Sequence, residues 1–430
     1  MKNPSPPASS AGNRLDRRRG SIFKRSADER IRDTGAESCV RPHVAVLRPR
    51  HLDQAEEATD ASLREWADLT GFDLLDHPFQ TDFIAASFAH AGSLEAPVLR
   101  ASRKVGFYVN LFFQAMCGWD SLHPGLLSKL REFDIVHTSE TFHSFSWEAL
   151  QAKRAHGCKL VTTVRENHPF VNERFQTMRD MKSAVLREAD LHIATTECRR
   201  QRLLLEGAKP TQVQVIPRGV DVQRFTPLGG DGGVRARLGL VDEEFVILGV
   251  VGSRWGQDVQ NLVYAVKRLS EDPECSKRRI RLVLAGSDSE HMLLKRLAHR
   301  IGLQAILTVT AFKKENIARV YRAADAFAWV RTEQSGWRED SPYVLPEALA
   351  SGLPVIATQS SSTAEVLGGG GVLVPPSDPQ ALSQAIKSLV LDAGYREQLS
   401  ATGRQLAESR HDARCVARRL AVEYERLLER

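Results

Sequence analysis

Short β-branched apolar runs alternate with amphipathic helical stretches along this chain, and they do so twice. In the first half the runs are HVAVL at 43–47, FDIV at 133–136, LVTTV at 160–164, HIAT at 192–195 and VQVI at 213–216. In the second half they are VILGVV at 246–251, RLVLA at 281–285, LTVT at 307–310, AFAWV at 326–330, VIAT at 355–358 and GVLV at 371–374. Runs this short, apolar on successive residues, fit strands covered on both faces. Helical patterns at 55–70, 146–156, 178–188, 199–206, 259–269, 292–301, 317–323 and 381–391 separate them, and the tail 395–430 is strongly helical. Strand–helix alternation of this kind predicts α/β architecture: two doubly wound, Rossmann-like domains facing a central cleft.

The rhythm breaks once, at PRGVDVQRFTP (217–227) followed by GGDGG (229–233), where Pro and Gly cluster. This is the expected linker. It divides a first domain over 42–222 from a second over 228–410, and residues 1–41 form a polar, Arg-rich tail. A length of 430 residues suits two domains. The net charge of +6 is partly carried by that tail and implies no nucleic-acid partner by itself. Six cysteines stand without CxxC spacing, which argues against a zinc site or a disulfide framework and for a reducing, cytoplasmic setting. The most apolar stretch, 105–119, is interrupted by Asn110 and Gln114 and falls short of a membrane span. A basic chain of this kind also suits peripheral contact at the inner face of a membrane.

The stretch 339–358, EDSPYVLPEALASGLPVIAT, concentrates the candidate chemistry. Glu339 lies in a loop. Glu347 opens a short helix that Gly352 and Pro354 terminate, and the VIAT strand follows at once. Taken alone, Glu347 reads as a helix-N-terminal acid stabilised by the dipole, and Glu339 as a solvated loop acid.

The order PRGVDVQRFTP, RARLGL (235–240), Glu339-x7-Glu347 with EALASGLPVIAT, then GVLVPPSD (371–378) resembles the retaining family 4 glycosyltransferases of the two-Rossmann-domain (GT-B) type. The resemblance is strongest over 216–391 and fades toward residue 43. It implies transfer of a sugar from a nucleotide-diphosphate sugar to a glycan, lipid-linked or small-molecule acceptor, with retained configuration and no metal or other cofactor. It implies that Glu347 holds the ribose hydroxyls, that Glu339 lies near the donor sugar, and that Arg254, with Ser253 as a neighbouring match, meets the diphosphate. The N–H groups of Tyr343, Val344 and Leu345 would serve the same phosphates. In the first domain the family often places a histidine after the strand that here ends at Val164; Glu166, Asn167 and His168 occupy that loop. It also implies that the last helix, 413–430, packs back on the first domain through Val416, Leu420, Val422, Tyr424 and Leu427.

The chain departs from the family pattern at several points. Gln257 stands where a phosphate-binding Lys is usual, and Asp340 and Pro342 stand where glycines are usual. Pro342 has no N–H to offer. Arg331, Arg338 and Lys313 are nearby cations, and Trp337 resembles a Trp-x-Glu start found in part of the family. The first strand is followed by Arg48, Pro49, Arg50 and His51 in place of a glycine-rich loop. His137 and His143 follow the FDIV strand. These departures keep two other readings open, a non-catalytic nucleotide-sugar-binding protein of the same fold and a nucleotide-sugar isomerase or hydrolase.

Overall fold

The computed structural model describes residues 41–48, 54–73, 125–250, 257–286, 288–331, 343–360 and 362–430. The Arg-rich tail, the 105–119 stretch, Arg50, His51, Ser253, Arg254 and residues 332–342, Glu339 among them, lie outside these.

The first half runs β1 (His43–Arg48), α1 (Gln54–Leu63), β2 (Asp68–Asp73), α2 (Leu126–Lys129), β3 (Ile135–Ser139), α3 (Ser144–His156), β4 (Lys159–Val164), α4 (Gln176–Glu188), β5 (Leu191–Ala194), α5 (Glu197–Leu205) and β6 (Val213–Val215). The second half runs α6 (Val234–Arg237), β7 (Phe245–Val250), α7 (Gln257–Ser270), β8 (Ile280–Ala285), α8 (Asp288–Arg300), β9 (Leu307–Thr310), α9 (Ile317–Arg322), β10 (Ala326–Trp329), α10 (Val344–Ala350), β11 (Val355–Thr358), α11 (Thr363–Leu367), β12 (Gly371–Val374), α12 (Pro379–Leu391) and α13 (Ala393–Leu406). A final helix, α14 (Ala413–Glu429), follows.

The described strands form two six-stranded sheets, ordered β2-β1-β3-β4-β5-β6 and β12-β11-β10-β7-β8-β9. Every pairing is parallel. Each sheet is therefore covered by helices on both faces. In the second domain Ile247, Leu282, Leu284 and Ile356 pack on one side, and Leu248, Val283, Phe327 and Val355 on the other. That split is the period-2 alternation of a strand buried on both faces.

One expectation needs correcting. The helix expected over 55–70 ends at Leu63, and residues 68–73 form β2, with Gly71 paired to Val46 inside the sheet. Pairing with β1 overrides the local helical pattern. The helical tail over 395–430 is divided at residues 407–411, ahead of the separate last helix, and Asp412 caps that helix by accepting from the Arg414 N–H at 3.0 Å. The reset lets the chain return to the first domain. There Val416, Ala417, Leu420, Ala421, Tyr424 and Leu427 join a core with Val44, Val46, Ile135 and Ile193. Val422 points outward, at 38% exposure.

Candidate functional site

In the second sheet the strand order reverses at β7, which pairs with β10 on one side and β8 on the other. Ligands of open parallel sheets bind beyond the carboxyl ends of strands at such a switch point. Residues 251–256 follow β7 and residues 332–342 follow β10 soon after it, so neighbouring strands deliver the segments that carry Ser253, Arg254 and Glu339. Those residues lie outside the described set, and Gln257 opens α7.

Glu347 is described and lies within α10 at 3% exposure. The Tyr321 hydroxyl donates to its Oε2 at 3.0 Å. Burial and then the Glu347 charge hold the Tyr321 phenol well above its ordinary pKa, so the pair consists of a phenol donor and a carboxylate acceptor. Tyr343 precedes the helix at 42% exposure, with the Arg218 guanidinium 6.0 Å from its ring centroid. Val344 and Leu345 are buried in the core, at 2% and 0% exposure. Lys313 is exposed, while Arg331 lies over Trp329 at 5.1 Å.

In the first domain, the loop after β4 holds the other candidates. Glu166 is 5% exposed, and its Oε1 accepts from the His168 N–H at 3.0 Å and lies 3.2 Å from His168 Nδ1. His168 is exposed and Asn167 half-buried. The side chain that meets solvent is therefore the histidine, and the glutamate orients it. His143 is half-buried and stacks on Phe145 at 4.8 Å.

Beneath the carboxyl ends of the first sheet lies a pocket of about 60 Å³ that Arg48, Glu56, His137, Arg165, Thr195 and Arg218 help to line. Its charges are tied to one another. Arg48 meets Asp60 at 2.7 Å and Glu56 at 3.3 Å, and Arg165 meets Glu56 at 3.0 Å. Burial pushes the Asp60 carboxyl up to about 6 against the pull of Arg48. Burial, with Arg48 nearby, pushes His137 down to about 3. His137 is thus a neutral imidazole, bonded to the Tyr424 hydroxyl at 2.6 Å and to Thr163 Oγ1 at 2.7 Å. It ties β3 and β4 to α14 and keeps its neutral form near neutrality.

The sequence pattern missed Asp60, Glu140, Lys182, Arg199, Arg202 and Tyr321. Arg199 and Arg202 sit three apart in a charged helix, which ordinarily marks a solvated face, yet they are 0% and 3% exposed.

A family model for glycosyl transferases group 1 matches residues 234–406, and one for glycosyltransferase family 4 matches residues 88–224. The chain is similar to a D-inositol 3-phosphate glycosyltransferase of Kineococcus radiotolerans, at 29% identity over 67% of this chain and 70% of that one. It is also similar to one of Streptomyces bingchenggensis, at 30% identity over 51% of this chain and 49% of that one. The match thus spans about half the length of several such relatives. Among solved structures, Anabaena HepE in complex with UDP superposes with a TM-score of 0.68 at 17% identity, covering 90% of this chain and 100% of that one. Sucrose-phosphate synthase of Thermosynechococcus elongatus does so at 0.64 and 20%, covering 90% and 99%. Two adjoining family matches and two parallel six-stranded sheets, the second reversing its strand order beside Glu347, place the chain in glycosyltransferase family 4, with the GT-B fold.

Proposed function

We propose that this protein transfers a sugar from a nucleotide-diphosphate sugar to a hydroxyl-bearing acceptor, with retention of configuration and without a metal ion. The observation that carries the reading is Glu347, a carboxylate 3% exposed on the short helix beyond β10, at the switch point of the second sheet. A carboxylate is an acceptor with two oxygens, and one such group can accept from both vicinal hydroxyls of a ribose. The names of the relatives support a sugar-transfer reaction, and HepE is described with UDP. Glu339, Arg254 and Ser253 are assigned to the donor sugar and diphosphate by their place in the motif.

In such a transfer the bond from the anomeric carbon to the diphosphate breaks, and a bond to the acceptor oxygen forms on the same face. The acceptor proton goes to the departing diphosphate. Catalysis then consists of holding the partners together and stabilising developing charge. His168, oriented by Glu166, is the first-domain group assigned to the reacting sugar, and the acceptor enters from the strand ends above the Arg48–Glu56–Arg165 pocket. The acceptor is a glycan, a lipid-linked sugar or a small molecule.

The test is a calorimetric titration with UDP-, GDP-, ADP- and dTDP-linked sugars, followed by an assay for transfer or donor breakdown. Glu347→Ala should weaken nucleotide binding by about 10- to 100-fold, the loss of one or two charge-assisted hydrogen bonds. Glu339→Ala should lower turnover while the nucleotide still binds. Unchanged affinity in the first and unchanged turnover in the second would remove the assignment; binding without any turnover would leave a nucleotide-sugar-binding protein.

A further inference from the structure

Among the described residues, four that are not glycine have a left-handed backbone, and three of them stand in two adjoining loops. Glu140 (φ 58°) follows β3, while Phe170 (φ 60°) and Asn172 (φ 57°) lie in the loop after β4. A phenylalanine resists this conformation and keeps it only where its surroundings over-determine it. Phe170 is 54% exposed, so burial of its ring is a weak source of that constraint.

The constraint comes from buried charge. Glu140 Oε1 accepts from the Arg165 N–H at 2.7 Å and from the Glu166 N–H at 3.1 Å. Arg199 Nε donates to the Arg165 carbonyl, and Arg202 Nη1 donates to the Glu166 carbonyl at 3.1 Å. Glu206 Oε1 accepts from the Phe170 N–H at 2.6 Å, and Lys182 Nζ donates to the Val171 carbonyl at 3.2 Å. The charges also pair among themselves, Lys182 with Glu173 and Glu206, and Arg202 with Glu206 and with Glu140 at 3.7 Å. Glu140, Lys182, Arg199 and Arg202 are each no more than 4% exposed. Buried ion pairs add little net stability over apolar packing of the same shape, and their best-attested benefit is a single defined conformation. Here that benefit falls on one target, the main chain of residues 165–171, which includes Glu166 and His168.

We propose that Glu140 is a positioning residue for the sugar-transfer reaction. By bonding the first two N–H groups of the loop, it fixes the direction in which the chain leaves β4. It thereby fixes where the Glu166–His168 pair stands. This role rests on the functional reading above, in which that pair faces the reacting sugar. Glu140 acts through the loop and touches no substrate.

Glu140→Ala and Glu140→Gln in the full-length protein separate positioning from general support of the fold. Alanine leaves the Arg165 and Glu166 N–H groups without their acceptor, whereas glutamine keeps a carbonyl oxygen there. The readouts are kcat and KM for breakdown of whichever sugar nucleotide the wild type turns over, nucleotide affinity by calorimetry, and amide hydrogen exchange. The alanine variant should lose at least tenfold in kcat, with KM and affinity within about twofold. Exchange should rise at residues 165–170 and stay unchanged in the second domain. Glutamine should restore most of the kcat. Wild-type kcat and exchange in the alanine variant would overturn the role, as would a loss that glutamine fails to rescue or that tracks a smaller folded fraction. A wild type that turns over none of the donors would overturn the transferase reading and this role with it, whereas an undiminished kcat in Glu140→Ala overturns this role alone.

Discussion

Tyr321 and Glu347 form the most informative pair of residues in the second domain. Both are buried, and the phenol donates to the carboxylate at 3.0 Å. Burying a carboxyl group is costly unless donors surround it, and the Tyr321 hydroxyl supplies one to Glu347. Tyr321→Phe should lower stability by about 1–3 kcal/mol, the range for leaving a buried polar group without its partner, as read from urea unfolding. Nucleotide affinity should fall less than in Glu347→Ala, by about fivefold or less. A loss as large as that of Glu347→Ala would make the tyrosine itself the ligand group. Glu347 was legible in the sequence because a helix start, a helix stop and a strand frame it within twelve residues. Tyr321 was not, because an aromatic on an apolar helix face reads as core, and core it is, with a polar end that only the fold brings to Glu347.

At the level of elements, strands were the legible part and helix ends the illegible part. A continuous apolar run of four to six residues admits little besides a covered strand, and the structure places β3 to β12 on those runs. The end of α1 was lost because residues 64–70 carry no Gly or Pro to stop a helix; the partner strand β1 lies 25 residues earlier in register. The burial of Arg199 and Arg202 on α5 has no local signal either, since nothing near them in sequence says that residues 165–173 will cover them. A tight junction of elements gives a separate prediction. A Cβ on Gly219 would run into Thr59 Oγ1 on α1 and would lie 2.9 Å from the Ala413 Cα at the start of α14. Gly219→Ala should therefore cost about 1–3 kcal/mol in urea unfolding, the usual range for overpacking. At Gly230 the nearest atom to a new Cβ is 3.9 Å away, so Gly230→Ala should stay within about 0.5 kcal/mol of the wild type. Equal losses at both positions would refute the close packing of α1 against α14.

For the whole molecule, the buried histidines set how stability responds to acid. Burial lowers His137 to about 3, and His192 and His411 to about 4, from an ordinary 6.5. Each stays neutral in the fold and takes up a proton when the chain unfolds below pH 6.5, so its contribution is present above that pH and is lost as pH falls toward 4. Asp60 works the other way. Its folded value of about 6 lies above an ordinary 3.8, so it favours the fold increasingly as pH falls through that window. At about 1.4 kcal/mol per unit, three histidines outweigh one aspartate. The melting temperature should drop between pH 7 and pH 4.5, and a rise over that range would contradict the buried, neutral state of these imidazoles.

The return of α14 to the first sheet also orders events during synthesis. The second domain is contiguous in the chain, whereas the core around Val44, Ile135 and Ile193 is completed by Val416, Leu420, Tyr424 and Leu427. At typical translation rates of about 5–20 residues per second, roughly 10–40 s separate the emergence of β6 from that of α14. During that interval the first sheet waits with an apolar face uncovered, while the later domain can close as soon as its own strands are made. The domain that is made first is therefore the one that finishes last.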